Sequence, residues 1–234
     1  MTGFHNGPMM GLDVESTGIS VEEDRIVTAA LVAVEGPKKD SQSWLINPGV
    51  PIPEGATNVH GITDAKAATG DNPVEVLPII GAAITDHLYQ GFPLVVFNAP
   101  FDLTMLDREL RRYGRDPLDI ESFHPIVDPF VLDRAMDPYR KGKRTLTAMC
   151  EHYRVPFDGD AHDAEADTFA TLRLVWRLAE VWNLGDRDLA ELTAQQAVWH
   201  RERQESFAAY LRKTGKDDAG VNTSWPIIPK LHSV

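Results

Sequence analysis

The chain has 234 residues, 43% of them hydrophobic and 25% charged, as expected of a globular protein large enough for a sizeable core. Its formal net charge of −12 argues against a general binder of long nucleic acid, which relies on positive surface. An enzyme that grips a few nucleotides, or whose acids hold metal ions, stays compatible with that charge. One cysteine, Cys150, excludes an internal disulfide framework and a cysteine-rich zinc site. The sequence has no run of about 18 apolar residues. Met1 to Gly11 lacks the basic start and apolar core of a secretory signal, so a cytoplasmic location without membrane contact is expected.

In chain order, Met9 to Val14 is a short apolar run that reads as a buried strand. Ile26 to Val34 is a longer β-branched run and Ser43 to Ile46 a shorter one, with turn signals at Gly36-Pro37 and Asn47-Pro48-Gly49. Three strands with tight connections predict an antiparallel meander. Val50 to Asn72 is rich in Pro, Gly and Thr and reads as an irregular loop. Val74 to Gln90 has a helical pattern, and Leu94 to Phe97 is a compact strand. Pro100 opens a helix that runs to about Tyr113 and stops at Gly114. Ile126-Val127 is a candidate last strand. Helices are expected over Pro129 to Ala135, Thr145 to Tyr153 and Asp163 to Trp182, the last burying Phe169, Leu172, Trp176 and Ala179. After a break at Asn183-Leu184-Gly185, a further helix is expected from about Asp186 to Lys213. The expected architecture is α/β, a mixed sheet flanked by helices, with residues 1–185 as one domain and 186–234 as a helical C-terminal extension. That extension, with Trp199, Phe207, Tyr210 and Trp225, either docks a partner such as a polymerase assembly or packs back on its own domain.

Three stretches carry candidate chemistry. Asp13 and Glu15 lie two apart at the end of an apolar strand, so both point to one face, where they repel unless a cation sits between them. Oxygen ligands of this kind suit magnesium or manganese. A strand end that has reached solvent would look the same. Asp102 falls in the first turn of a helix that begins beyond Asn98, a place an acid favours for the helix dipole alone. His162 stands five residues before Asp167, so the two meet only if His162 lies on the loop preceding the helix.

Taken together these stretches are more specific. Asp-x-Glu on a first strand, Asn98-x-x-x-Asp102 at a strand-to-helix junction and His162-x-x-x-x-Asp167 opening a late helix resemble the DEDDh 3'-to-5' exonucleases. The proofreading subunit of bacterial DNA polymerase III is similar. Asp13-Val-Glu-Ser-Thr-Gly, Asn58-Val-His-Gly-Ile-Thr and Asp128 before a helix add to the resemblance, which covers roughly Met9 to Trp182. It implies a ribonuclease-H-like fold with a five-stranded mixed sheet. It implies that Asp13, Glu15, Asp102 and Asp167 hold two divalent ions, Mg2+ or Mn2+, with His162 as general base. The implied reaction removes nucleoside 5'-monophosphates from a nucleic-acid 3' end, single-stranded or frayed DNA first. RNA 3' ends or short oligoribonucleotides are an alternative, and a catalytically idle binding module is another. Substrate contacts are expected from Thr17, Gly18, His60, Asn98 and Phe101. The basic stretch Arg140, Lys141, Lys143 and Arg144 is a candidate phosphate track, or a solvated loop.

Overall fold

The computed structural model describes residues 3–120, 124–157 and 163–230. Five strands, β1 (Met9–Ser16), β2 (Ile26–Glu35), β3 (Lys38–Leu45), β4 (Leu94–Val96) and β5 (Ile126–Val127), form one mixed sheet. Their order is β3-β2-β1-β4-β5. The first three run as the expected antiparallel meander, and β4 and β5 add in parallel beside β1. The third strand begins at Lys38, five residues before its expected start. Its lysines and aspartate look unlike a strand because β3 is the exposed edge of the sheet, where charge discourages pairing with other chains.

The helices among the described residues are α1 (Glu54–His60), α2 (Asp64–Ala67), α3 (Pro73–Tyr89), α4 (Ala99–Arg112), α5 (Pro129–Met136), α6 (Leu146–Tyr153), α7 (Ala164–Val181) and α8 (Leu189–Lys213). On one side of the sheet, Leu12, Val14, Leu94 and Val96 pack against Leu77 and Ile80 of α3 and Leu103 and Leu106 of α4. On the other, Met9, Val32, Val95 and Val127 meet Met149 of α6 and Leu172, Val175 and Leu178 of α7. Alternation along β1 therefore sends Asp13 and Glu15 to the α7 side.

Three expectations are corrected. The loop from Val50 to Asn72 contains α1 and α2, and Ile52, Ile62 and Ala67 bury a small cluster of their own against Val27. These helices are too short to show a period in sequence. Trp176 lies 43% exposed, because the buried face of α7 is carried by Thr168, Leu172, Val175 and Ala179. The last helix starts at Leu189, capped by Asp188 accepting from the Glu191 N–H at 2.9 Å, and not at Asp186.

Helix α8 lies along the outer edge of β5 and substitutes for a further strand. Gln196 Nε2 donates to the Ile126 carbonyl at 2.8 Å, its Oε1 accepts from the Asp128 N–H at 2.8 Å, and Thr193 Oγ1 accepts from the Ile126 N–H at 3.1 Å. Its far end leaves Phe207 and Tyr210 exposed. No helix among the described residues is long and apolar enough to cross a membrane.

Candidate active site

Parallel strands β1, β4 and β5 present their carboxyl ends at one end of the sheet, where ligands of open α/β sheets commonly bind. A glycine sets the first distance there. A Cβ on Gly11 would stand 2.5 Å from Thr168 Cγ2, so the bare backbone lets α7 lie directly on β1. That approach brings Asp167, next to Thr168, over Asp13. Asp13, Glu15 and Asp167 each offer a carboxylate oxygen, and these atoms all lie within 4.8 Å of one another. The register of β1 against β2 shifts between Glu15 and Ser16, a bulge of the kind that re-aims side chains beside sites.

Asp102 joins from α4. It is 5% exposed, and its Oδ1 accepts from the Val14 N–H at 3.0 Å, which ties the helix to β1 between the other two acids. Burial, then Asp102, Glu15 and Asp167, raises the Asp13 carboxyl well above the usual range. Burial, with Asp167 adding, pushes Glu15 to about 7. Burial pushes Asp102 to about 8 against the opposing hydrogen bond from Val14. Such groups resist losing their protons because negative charge has gathered in a desolvated place. A donor set made only of carboxylate oxygens fits a hard divalent cation, whose charge removes that repulsion.

Asp128, noted in sequence only as an acid before a helix, organises the site's framework. Fully buried, its carboxylate accepts from the N–H groups of Asn98 and Ala99 at 3.0 Å each, from Phe130 at 2.9 Å, and from Trp225 Nε1 at 3.3 Å. Burial raises it to about 6, with these donors pulling the other way. The contacts hold Asn98 in the left-handed conformation (φ 59°, ψ 52°) from which α4 starts, and so aim Asp102. The signal in sequence was an acid followed by Pro129, a helix start, but its distant partners were not visible.

The expected substrate contacts are placed as follows. Thr17 is buried and donates through Oγ1 to Asp24 Oδ1 at 2.8 Å. A Cβ on Gly18 would come 2.5 Å from Asp24 Oδ2, so this glycine already has a reason in the turn. His60 ends α1, accepts through Nδ1 from the Ile62 N–H at 3.0 Å, and lines a cleft of about 440 Å³ together with Glu15, Trp44, Lys66 and Asp163. Asn98 is exposed at the head of α4, and Phe101 is half-buried against the core. His162 lies outside the described residues; the next residue, Asp163, caps α7 by accepting from the Glu165 N–H at 3.0 Å.

The basic stretch is only partly available. Arg140 forks onto Asp133 at 3.0 and 2.9 Å, and Arg144 also bonds Asp133, so these two brace the loop, while Lys141 and Lys143 remain exposed.

The chain matches the model of the exonuclease family (RNase_T) over residues 10–175. It belongs to that family. A DNA polymerase III PolC-type protein of Lacticaseibacillus paracasei is 30% identical over 71% of this chain and 11% of its own length. A DNA polymerase III subunit epsilon-like protein of Rhodobacter capsulatus is 32% identical over 71% of this chain and 23% of its own length. The chain thus spans less than a quarter of these curated relatives. Among solved structures, E. coli Exonuclease I in complex with a dA16 oligonucleotide superposes with a TM-score of 0.63 at 18% identity, covering 86% of this chain and 45% of that one. Exonuclease X in complex with 5' overhanging duplex DNA gives 0.53 at 20% identity, covering 79% of this chain and 99% of that one. At these identities the likeness speaks for the fold, which is ribonuclease-H-like.

Proposed function

We propose that this exonuclease works from 3' ends, on single-stranded or frayed DNA first, and releases nucleoside 5'-monophosphates. One observation carries the reading: Asp13, Glu15 and Asp167, from elements about 150 residues apart in sequence, converge within 4.8 Å beside the buried Asp102. The names of the similar DNA polymerase III proteins, and the DNA bound in the two similar structures, support DNA over RNA as the first substrate to try.

The four carboxylates are proposed to hold two divalent cations, magnesium or manganese. Bound there, they would supply Lewis acidity for the attacking water and charge neutralisation for the departing 3'-oxygen. The chain's own residues do the rest. Asp102, anchored to Val14, fixes α4 against β1. His162, on the segment leading into α7, takes a proton from the attacking water, a task suited to a group titrating near neutrality. The cleft beside Glu15 and His60 receives the terminal nucleotide, with Phe101 beside its base.

Matched 5'-labelled single-stranded DNA, duplex DNA with a mismatched end, and RNA, each digested with magnesium, with manganese and in excess chelator, test this. The expected result is stepwise shortening from the 3' end of the two DNAs, only when metal is present, with a circular single strand resistant. Rapid cutting of circles, or full activity in chelator, overturns the reading. Faster shortening of the RNA reassigns the substrate.

A further inference from the structure

Beyond β5, on the same end of the sheet as the carboxylates, α5 and α8 enclose a cavity of about 290 Å³. Phe130 and Trp199 supply aromatic walls, and Arg134 and Arg203 supply charge. The Arg134 guanidinium carbon stands 4.2 Å from the centre of the Phe130 ring, and its Nε is buried without a hydrogen-bond partner among the described residues. Among the described residues neither Arg134 nor Arg203 forms an ion pair, although the neighbouring Arg140 and Arg144 are both bound to Asp133. Among the described residues Glu202 is the one acid lining the cavity, and it is exposed. Burial, followed by the nearby Arg203 and Arg144, lowers the Arg134 pKa, with Asp133 and Asp128 pulling the other way. A half-buried and an exposed positive charge therefore line one cavity in an otherwise acidic chain. This mirrors in sign the carboxylate cluster, and an anion relieves it.

Packed rings link the wall of the cavity to the strand end that carries Asn98. Phe130 packs on Phe97 with ring centroids 5.5 Å apart, and Phe97 directly precedes Asn98. Adjacent strands lie about 4.8 Å apart, so β5, two strands from β1, stands roughly 10 Å away, a span of a few nucleotides. A guanidinium pair beside aromatic faces suits a backbone phosphate with a base stacked next to it.

We propose that the cavity between α5 and α8 binds a phosphodiester and its base in the single strand, a few nucleotides upstream of the 3' end held by the carboxylates. This rests on the exonuclease reading above. It gives α8 a part in substrate length preference, and places local positive charge where the chain's overall charge opposes binding.

The experiment measures anisotropy of a 5'-fluorescein dT15 oligonucleotide in chelator over a range of salt, for the parent, Arg203→Glu and Arg134→Gln. In parallel, hydrolysis of the p-nitrophenyl ester of thymidine 5'-monophosphate is followed with manganese. Each variant should weaken dT15 binding about tenfold. Each should also lower the slope of log affinity against log salt by about 0.7, the value of one single-strand phosphate contact. The kcat and KM for the ester, which is too short to reach the cavity, should stay at the parent's values. Parental affinity and salt slope in Arg203→Glu, an exposed position that does not threaten folding, overturn the proposal. So does displacement of dT15 by a polyglutamate peptide as readily as by unlabelled dT15, which would mark a general carboxylate receptor. An ester left intact by the parent would count against the exonuclease reading alone, since the binding arm decides the cavity independently.

Discussion

Asp133 and Asp102 are both buried aspartates, and their pKa values are shifted in opposite directions. Around Asp133 burial alone would raise the carboxyl, but Arg140, Tyr153 and Arg144 all bond it and hold it below the usual range. Around Asp102 burial dominates, further carboxylates add to it, and the group rises to about 8. Asp128 lies between them, compensated by backbone N–H groups and one indole rather than by cations. The chain therefore supplies its own counter-charge where it needs an inert brace. At the end of the sheet it gathers the acids that are proposed to take a counter-charge from solution. The proposed reading divides stability and function between the two regions accordingly.

The largest effects break the carboxylate side of that comparison. Asp13→Asn or Asp167→Asn removes a proposed ligand and should lower exonuclease turnover by at least about 10²–10³-fold, the scale of losing one preorganised electrostatic group. His162→Ala should cost about 10²–10⁴-fold, as a positioned base does. The asparagine variants should also melt higher than the parent in chelator, because repulsion has been removed. A lower melting temperature would mean that the acids already find their compensation within the chain.

On the other side, Asp133→Ala leaves Arg140 and Arg144 buried without their carboxylate, with side chains only 6% and 12% exposed. Breaking such a pair costs about 3–5 kcal/mol. For a chain of this size that is a fall in melting temperature of roughly 6–20 °C, readable by calorimetry. Turnover per folded molecule at low temperature should stay near the parent's, since Asp133 touches none of the four acids. A drop in turnover without loss of stability would reverse the roles assigned to the two regions.

Much of the carboxylate side was legible in sequence because its signals are local. An Asp-x-Glu pair ends an apolar strand, Asp102 sits four residues beyond Asn98, and Asp167 opens an amphipathic helix. The apolar runs marked the five strands, and the family resemblance implied the five-stranded mixed sheet they form. The compensated side was not legible, because its partners meet only in the fold. Arg140 and Arg144 read as free charge until Asp133 is seen beneath them, and nothing local in the sequence marks Gln196 as the residue that bonds β5. Helices α1 and α2 were hidden by their length and by the turn residues around them. Trp176 was misplaced because the face that α7 buries is carried by small and β-branched residues, beside which the larger rings of Phe169 and Trp176 look more core-like than they are.

The comparison also predicts a pH dependence. In metal-free protein, Glu15 titrates near 7 and Asp102 near 8, against unfolded values of 4.5 and 3.8. Between those limits the folded state binds more protons than the unfolded one, so stability falls as pH rises from about 5 to 8. Magnesium should restore stability most at the upper end, where the acids are ionised. Melting curves across this range, with chelator and with magnesium, measure it. A metal-free stability that rises over the same interval would contradict the sign.

The smallest effect sharpens the intermediate case. Trp225→Phe keeps the ring packed against the core but removes the indole N–H that donates to Asp128 Oδ2 at 3.3 Å. A hydrogen bond to a charged group contributes about 1.5–3 kcal/mol, and this long one belongs at the bottom of that range. A fall in melting temperature of roughly 3–6 °C should follow at pH 8. The donor favours the ionised carboxylate, so its loss raises the folded pKa of Asp128 above its present value of about 6. The difference between variant and parent is therefore largest above that pKa and shrinks as pH falls below it, where Asp128 is protonated in both proteins. A difference independent of pH would mean that Trp225 acts only through packing. Asp128 would then be compensated entirely by the backbone of α4 and α5.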